Sequence, residues 1–123
     1  MRILIIEDNV SDVEWMRHLF DDSFEVKVAY RAQEAIKVGA EFQPELIISD
    51  WNLHDIMDGI EVCKTIIEKC AAPIIFVSGS PIEDLQIASK ALAPLKVLSK
   101  PVDHDELLRL ITEVKQSCHE VVH

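Results

Sequence analysis

Short apolar runs recur along the chain at residues 3–6, 26–29, 46–49, 74–77 and 96–98, each rich in Ile, Val and Leu. Runs of this length without sustained polar alternation read as strands buried on both faces of a sheet. The segments between them change period. Val13, Met16 and Phe20 share one helical face, as do Val62, Ile66 and Cys70, and likewise Leu107, Ile111 and Val114. The pattern predicts helices over 10–21, 32–42, 59–70, 82–92 and 103–118. Pro44 and Pro73 each precede a strand, where a helix must already have ended. Pro81 suits a first helical turn, and Asp103 with Glu106 forms the acidic half of a capping box. Strict alternation of strand and helix requires right-handed crossovers and a parallel sheet covered on both sides. The expected architecture is a doubly wound α/β domain over residues 1–123, with neither repeat nor linker.

Composition narrows the function. The 123 residues are 49% hydrophobic and 28% charged, ordinary for a globular domain with one core. The sequence shows neither an apolar stretch long enough to span a bilayer nor a signal-peptide layout, so the expected location is cytoplasmic, away from the membrane. Cys63, Cys70 and Cys118 lack CxxC spacing and are read as reduced thiols, the first two as core residues on one helix face. Cys118, His119 and His123 read as a frayed end. A formal net charge of −10 repels the phosphate backbone and argues against direct nucleic-acid binding. The same excess of carboxylates, gathered at one spot, could hold a hard cation.

In a doubly wound sheet the functional positions are the loops at the carboxyl ends of the strands. Glu7 and Asp8 follow the first apolar run, Asp50 the third, Ser78 the fourth, and Ser99, Lys100 and Pro101 the fifth. Asp50 thus ends an apolar strand where side chains distant in sequence converge. Three carboxylates packed together repel one another, and a shared proton or a bound cation relieves them. Mg²⁺ fits, because it takes a few hard oxygen ligands and tolerates a phosphate oxygen in its shell. A lysine supplies a compact positive charge and a serine hydroxyl a donor. Together these groups make a phosphoryl-acceptor site, since phosphoryl transfer needs mainly alignment and charge neutralisation.

These residues, with the opening RILIIEDN and the segment DWNL, carry a resemblance over nearly the full length. The chain resembles the receiver domain of two-component response regulators, of the single-domain, chemotaxis-regulator-like kind. The resemblance implies a flavodoxin-like fold, a five-stranded parallel sheet in the order 2-1-3-4-5 with five helices. It implies that Asp50 accepts a phosphoryl group from a sensor histidine kinase or histidine phosphotransfer protein. Asp8 and Asp50 would bind Mg²⁺ directly with the backbone carbonyl of Asn52, and Glu7 through water. Lys100 would pair with the phosphoryl group, Pro101 would follow it in a cis peptide, and Ser78 would move inward as the switch. Such a domain is a signalling phosphoacceptor rather than a metabolic enzyme. A phosphatase would need a second Asp two residues beyond Asp50, where this chain has Asn52.

Two departures stand out. The stretch HDIMDG lacks the proline usual after the phosphoacceptor, and Gly59 arrives one residue late, so His54, read as a solvated loop residue, and Asp55 occupy the proline region. The position three before Lys100, often aromatic in receivers, is Val97, which removes an aromatic rotamer switch. These departures leave room for an alternative, a receiver-like binding module that works without phosphorylation. In receivers the fourth helix, fifth strand and fifth helix form the usual partner surface, which makes residues 82–118 the candidate for a homodimer contact. Output is expected through a downstream protein target or through an output domain beyond this chain.

Overall fold

The computed structural model describes residues 1–51, 53, 55–79, 86, 87 and 89–121, with side chains through residue 117. Five parallel strands, β1 (Arg2–Ile6), β2 (Glu25–Ala29), β3 (Leu46–Asp50), β4 (Ile74–Ser78) and β5 (Lys96–Ser99), form one sheet in the order β2-β1-β3-β4-β5. Helices α1 (Val10–Arg17), α2 (Ala32–Phe42), α3 (Gly59–Ile67) and α4 (His104–Val121) alternate with them, and a 3₁₀ turn spans Lys90–Leu92. The doubly wound, flavodoxin-like fold expected from the sequence is present. Of the helix expected over 82–92, Gln86, Ile87 and Ser89 are helical and lead into the 3₁₀ turn. Residues 80–85 and 88 lie outside the described residues.

Alternation along the strands sorts the core into two layers. Leu4, Ile6, Ile47 and Phe76 pack with Ala32, Ala35, Val62 and Ile66 on the side of α2 and α3. Ile3, Ile5, Ile48, Ile75 and Val77 pack with Met16, Leu107, Ile111 and Val114 on the side of α1 and α4. Every residue of β3 and β4 is buried, so the centre of the sheet is fixed from both faces. Burial pushes the Cys63 thiol up to about 12, in keeping with an inert core cysteine.

Three elements differ from the sequence expectation. Helix α1 ends at Arg17, because Leu19 and Phe20 donate to Met16 and Arg17 in tight i to i−3 turns. Phe20 therefore leaves the helix and packs edge-on against Phe24, with ring centroids 5.4 Å apart. Helix α3 ends at Ile67, yet Cys70 stays buried in the following turn and its thiol meets the Pro44 carbonyl at 3.4 Å. Strand β2 is not buried on both faces: Glu25 and Lys27 are exposed, since it forms an edge of the sheet. Lys27 lays its ammonium 5.1 Å from the centre of the Phe42 ring.

The turn from β3 into α3 is held tightly. Asp58 caps α3 by accepting the Glu61 N–H at 2.9 Å, and Gly59 donates to the Trp51 carbonyl at 2.7 Å. A Cβ on Gly59 would lie 1.9 Å from the Asp50 carbonyl oxygen and 2.9 Å from Ser49 Oγ. Only a glycine lets α3 start against the backbone that carries Asp50. Gly59→Ala is expected to push this backbone apart and to destabilise the fold by about 1–3 kcal/mol. The denaturant midpoint measures the loss, and an unchanged midpoint would contradict this packing.

Candidate functional site

The carboxyl ends of β1, β3, β4 and β5 bring the expected residues to one edge of the sheet. Parallel registers set the levels: Ile6 lies beside Ser49, Asp50 beside Val77, and Ser78 beside Ser99. Glu7, Asp8 and Asp50 each offer a carboxylate oxygen, and these oxygens lie within 4.8 Å of one another. Glu7 is 1% exposed and Asp50 6%, while Asp8 is half-buried and reaches the rim.

Lys100 faces this cluster. Its Nζ donates to Glu7 Oε1 at 2.7 Å and to Asp12 Oδ2 at 3.0 Å, and stands 3.6 Å from Asp50 Oδ2. The Lys100–Pro101 peptide is cis, and the Lys100 N–H donates to the Ser78 carbonyl at 2.7 Å. Ser78 is buried at the end of β4. Val97 is buried within the α2–α3 layer and lies in register with Phe76. Asn52 and His54 lie outside the described residues.

Crowding of like charges sets the electrostatics. Burial, then the hydrogen bond and charge of Asp50, raise the Glu7 carboxyl from about 4.5 to about 8, against the opposing pull of Lys100. Burial works against the Lys100 charge, but the hydrogen bonds to Glu7 and Asp12, with the charges of Asp50 and Glu7, outweigh it and hold the ammonium above its ordinary range. Without a bound cation the cluster thus favours a proton on Glu7 and a charged lysine opposite. The 2.7 Å contact survives this, because a protonated carboxyl still offers its carbonyl oxygen to the ammonium.

The donor set fits a hard cation. Three carboxylate oxygens converge within 4.8 Å of one another, two of their residues are withdrawn from water, and the cluster contains no soft sulfur or imidazole ligand. A divalent ion would replace the Glu7 proton as the answer to the repulsion. The arrangement can also present Asp50 as a nucleophile with a cation on either side of the incoming group.

Two contributors were not read from the sequence. Asp12, in the first turn of α1, shares Lys100 with Glu7; its place one turn beyond the acidic pair was the available signal. Asp55 accepts the Ala32 N–H at 3.0 Å and the Ile56 N–H at 2.7 Å, so the loop after Asp50 caps α2 from a distance. These two N–H groups, Ala32 first, hold the Asp55 carboxyl below its ordinary range. The signal was the residue before α2, Arg31, which has no side-chain cap bond of its own.

Comparison with known proteins agrees with this geometry. The family model of the response regulator receiver domain matches residues 3–112. The cell cycle transcriptional regulator CtrA of Caulobacter vibrioides is 30% identical over 116 residues, covering 93% of this chain and 50% of that protein. The cell cycle response regulator CtrA of Brucella abortus is 34% identical over 116 residues, covering 90% and 48%. The chain spans about half the length of these curated relatives. A CheY-like response regulator receiver domain protein from Methanospirillum hungatei shares the fold, with a TM-score of 0.86 at 23% identity over 97% of both chains. The signal receiver domain of a modulated diguanylate cyclase from Desulfovibrio desulfuricans gives 0.83 at 26% identity over 94% of both. Receivers are signalling domains that bind Mg²⁺ at an acidic pocket and are, as a family, phosphorylated by histidine kinases. With its acidic cluster and lysine at the carboxyl edge of a β2-β1-β3-β4-β5 sheet, this chain belongs to the response regulator receiver domain family of two-component signal transduction.

Proposed function

We propose that residues 1–123 act as one receiver domain in which Asp50 accepts a phosphoryl group from a phosphohistidine of a sensor histidine kinase or histidine phosphotransfer protein. The observation that carries this reading is the convergence of Glu7, Asp8 and Asp50 within 4.8 Å, with Lys100 Nζ 3.6 Å from Asp50. An Asp50 Oδ attacks phosphorus, the phosphorus–nitrogen bond of the donor breaks, and the released imidazole nitrogen takes up a proton. Asp8 and Asp50, with the Asn52 backbone carbonyl, would hold Mg²⁺ directly and Glu7 would do so through water. When bound, the ion neutralises charge on the phosphoryl oxygens and the carboxylates. Lys100 pairs with the phosphoryl oxygens, and the Ser78 hydroxyl donates to another of them. The step exchanges the Asp50 carboxylate charge for nearly two negative charges on the phosphoryl oxygens, a net gain of about one at the sheet edge, and biases the loops that carry Ser78 and Lys100.

The signal then passes by contact. Ile87 is 78% exposed and Leu95 46%, and Leu95 borders a groove of about 610 Å³ shared with Gln86, Val97, Asp103 and Glu106. This surface within residues 82–118 suits a downstream protein or a second copy of the chain. An output domain beyond the chain would serve the same end; the relatives, about twice as long, include a cell cycle transcriptional regulator. Among the described residues, no helix is long and apolar enough to cross a membrane.

Intact mass after incubation with phosphoramidate tests the reading. Wild-type protein is expected to gain one phosphoryl adduct only with Mg²⁺, and Asp50→Asn none. A wild type that never labels would leave a phosphorylation-independent binding module instead.

The raised Glu7 value predicts a pH dependence as well. A folded-state value near 8 against an ordinary value near 4.5 means that the stability tied to the Glu7 proton is complete below about 4.5 and is lost as pH rises to about 8. In EDTA the melting temperature is expected to fall between pH 5.5 and 8.5, and Glu7→Gln to flatten that fall. Mg²⁺ is expected to raise the melting temperature more at pH 8.5 than at pH 5.5. Equal Mg²⁺ shifts at both values would contradict a proton held by the cluster.

A further inference from the structure

We propose that Asp12 is a positioning residue that parks Lys100 in the resting state and competes with the phosphoryl group for it, an inference that rests on the phosphoacceptor reading of Asp50. An ammonium has three N–H donors. In Lys100 one meets Glu7 at 2.7 Å and one meets Asp12 at 3.0 Å, while Asp50 stands off at 3.6 Å. The lysine is therefore bound more closely to its two parking partners than to the carboxylate that it would serve.

The two partners differ in exposure. The Glu7 side chain is 1% exposed and that of Asp12 43%, so water can take over at Asp12 when Lys100 leaves, whereas Glu7 would be stranded. Asp12 is the exchangeable contact. Space for the exchange is present: a cavity of about 110 Å³ beside Lys100 is lined by Glu7, Asp12, Trp15, Met16, Val77 and Pro101. An acidic residue in the first turn of α1 would favour the helix dipole without touching any cation. The dipole accounts for its charge, and the Asn9 cap, which accepts the Asp12 N–H at 3.1 Å, accounts for its backbone. Neither accounts for the 3.0 Å contact with a lysine 88 residues away in sequence.

The direction of the effect follows from charge. Phosphorylation of Asp50 exchanges one carboxylate charge for a phosphoryl group carrying nearly two, a net gain of about one negative charge at the edge, spread over three phosphoryl oxygens. Lys100 gains by turning toward them, and the turn breaks its bond to Asp12. Once released, the Asp12 carboxylate adds a like charge to the same neighbourhood. Both effects favour the unphosphorylated state, so Asp12 lowers the phosphorylated fraction and shortens its persistence.

The test compares the 123-residue chain with Asp12→Asn, which keeps size and polarity but removes charge, and with Asp12→Glu, which restores the charge. With phosphoramidate and Mg²⁺, the ratio of labelling to decay rate constants is expected to rise about two- to five-fold in Asp12→Asn, the range for a half-exposed ion pair. Asp12→Glu should fall back toward wild type. Without donor, the Cε resonance of ¹³C-labelled Lys100 should shift in Asp12→Asn, a readout that a merely structural role for Asp12 would leave in place. A labelling ratio in Asp12→Asn equal to or below wild type overturns the competition, and an unmoved Lys100 resonance overturns the parking contact. A wild type that forms no adduct overturns the phosphoacceptor reading itself.

Discussion

Like charge held close, in a place where water cannot screen it, is the constraint from which this site follows. Glu7, Asp8 and Asp50 bring carboxylate oxygens within 4.8 Å, and two of these residues are almost wholly withdrawn from solvent. Left to themselves they would spread apart. They stay because β1, β3 and β4 are pinned between two apolar layers that permit no local slip. A one-residue change of register in β3 would turn Ile47 and Ile48 to the wrong layers, so core packing itself aims Asp50. Gly59 closes the arrangement from below by letting α3 begin against the Asp50 carbonyl. The stability of the core is thus the source of the strain at the edge, and Lys100 with the Glu7 proton relieves only part of it.

Much of this was legible in the sequence for simple reasons. Buried central strands such as β3 and β4 are uniformly apolar, so their position and type read directly from the run, and the loop that follows each must lie at the carboxyl edge. The convergence of Glu7, Asp8, Asp50, Ser78 and Lys100 follows from that topology alone. What topology cannot specify is which partner a long side chain chooses. Lys100 could have met Asp50 first, but its shorter contacts are with Glu7 and Asp12. Edges were misread for a related reason. The run that forms β2 looks like a buried strand, yet its burial depends on having a neighbour, and β2 has one only on the β1 side. The end of α1 was set locally, by the tight turns in which Leu19 and Phe20 donate to Met16 and Arg17, and these turns release Phe20 to meet Phe24.

The distribution of contacts separates a rigid core from a polar edge whose contacts water can replace. Leu4, Ile47, Phe76 and their neighbours fill a close-packed layer in which a small displacement meets repulsion on every side. The polar contacts at the edge behave differently, since several end on partly or fully exposed carboxylates that water can satisfy in turn. Asp55 ties the loop after Asp50 to the first N–H of α2, and Asp12 ties the residue after β5 to α1. The Lys100 N–H is joined to the Ser78 carbonyl, which ties the end of β5 to the end of β4. A charge arriving at Asp50 is therefore felt first by bonds that can exchange partners cheaply, and last by the core. Under the proposed phosphorylation of Asp50, this layering would let the surface change while the core stays packed. Val97 is an aliphatic residue buried in the α2–α3 layer, so a switch of the proposed kind would have to run through these polar links and the backbone they hold, with no aromatic side chain at this position to carry it.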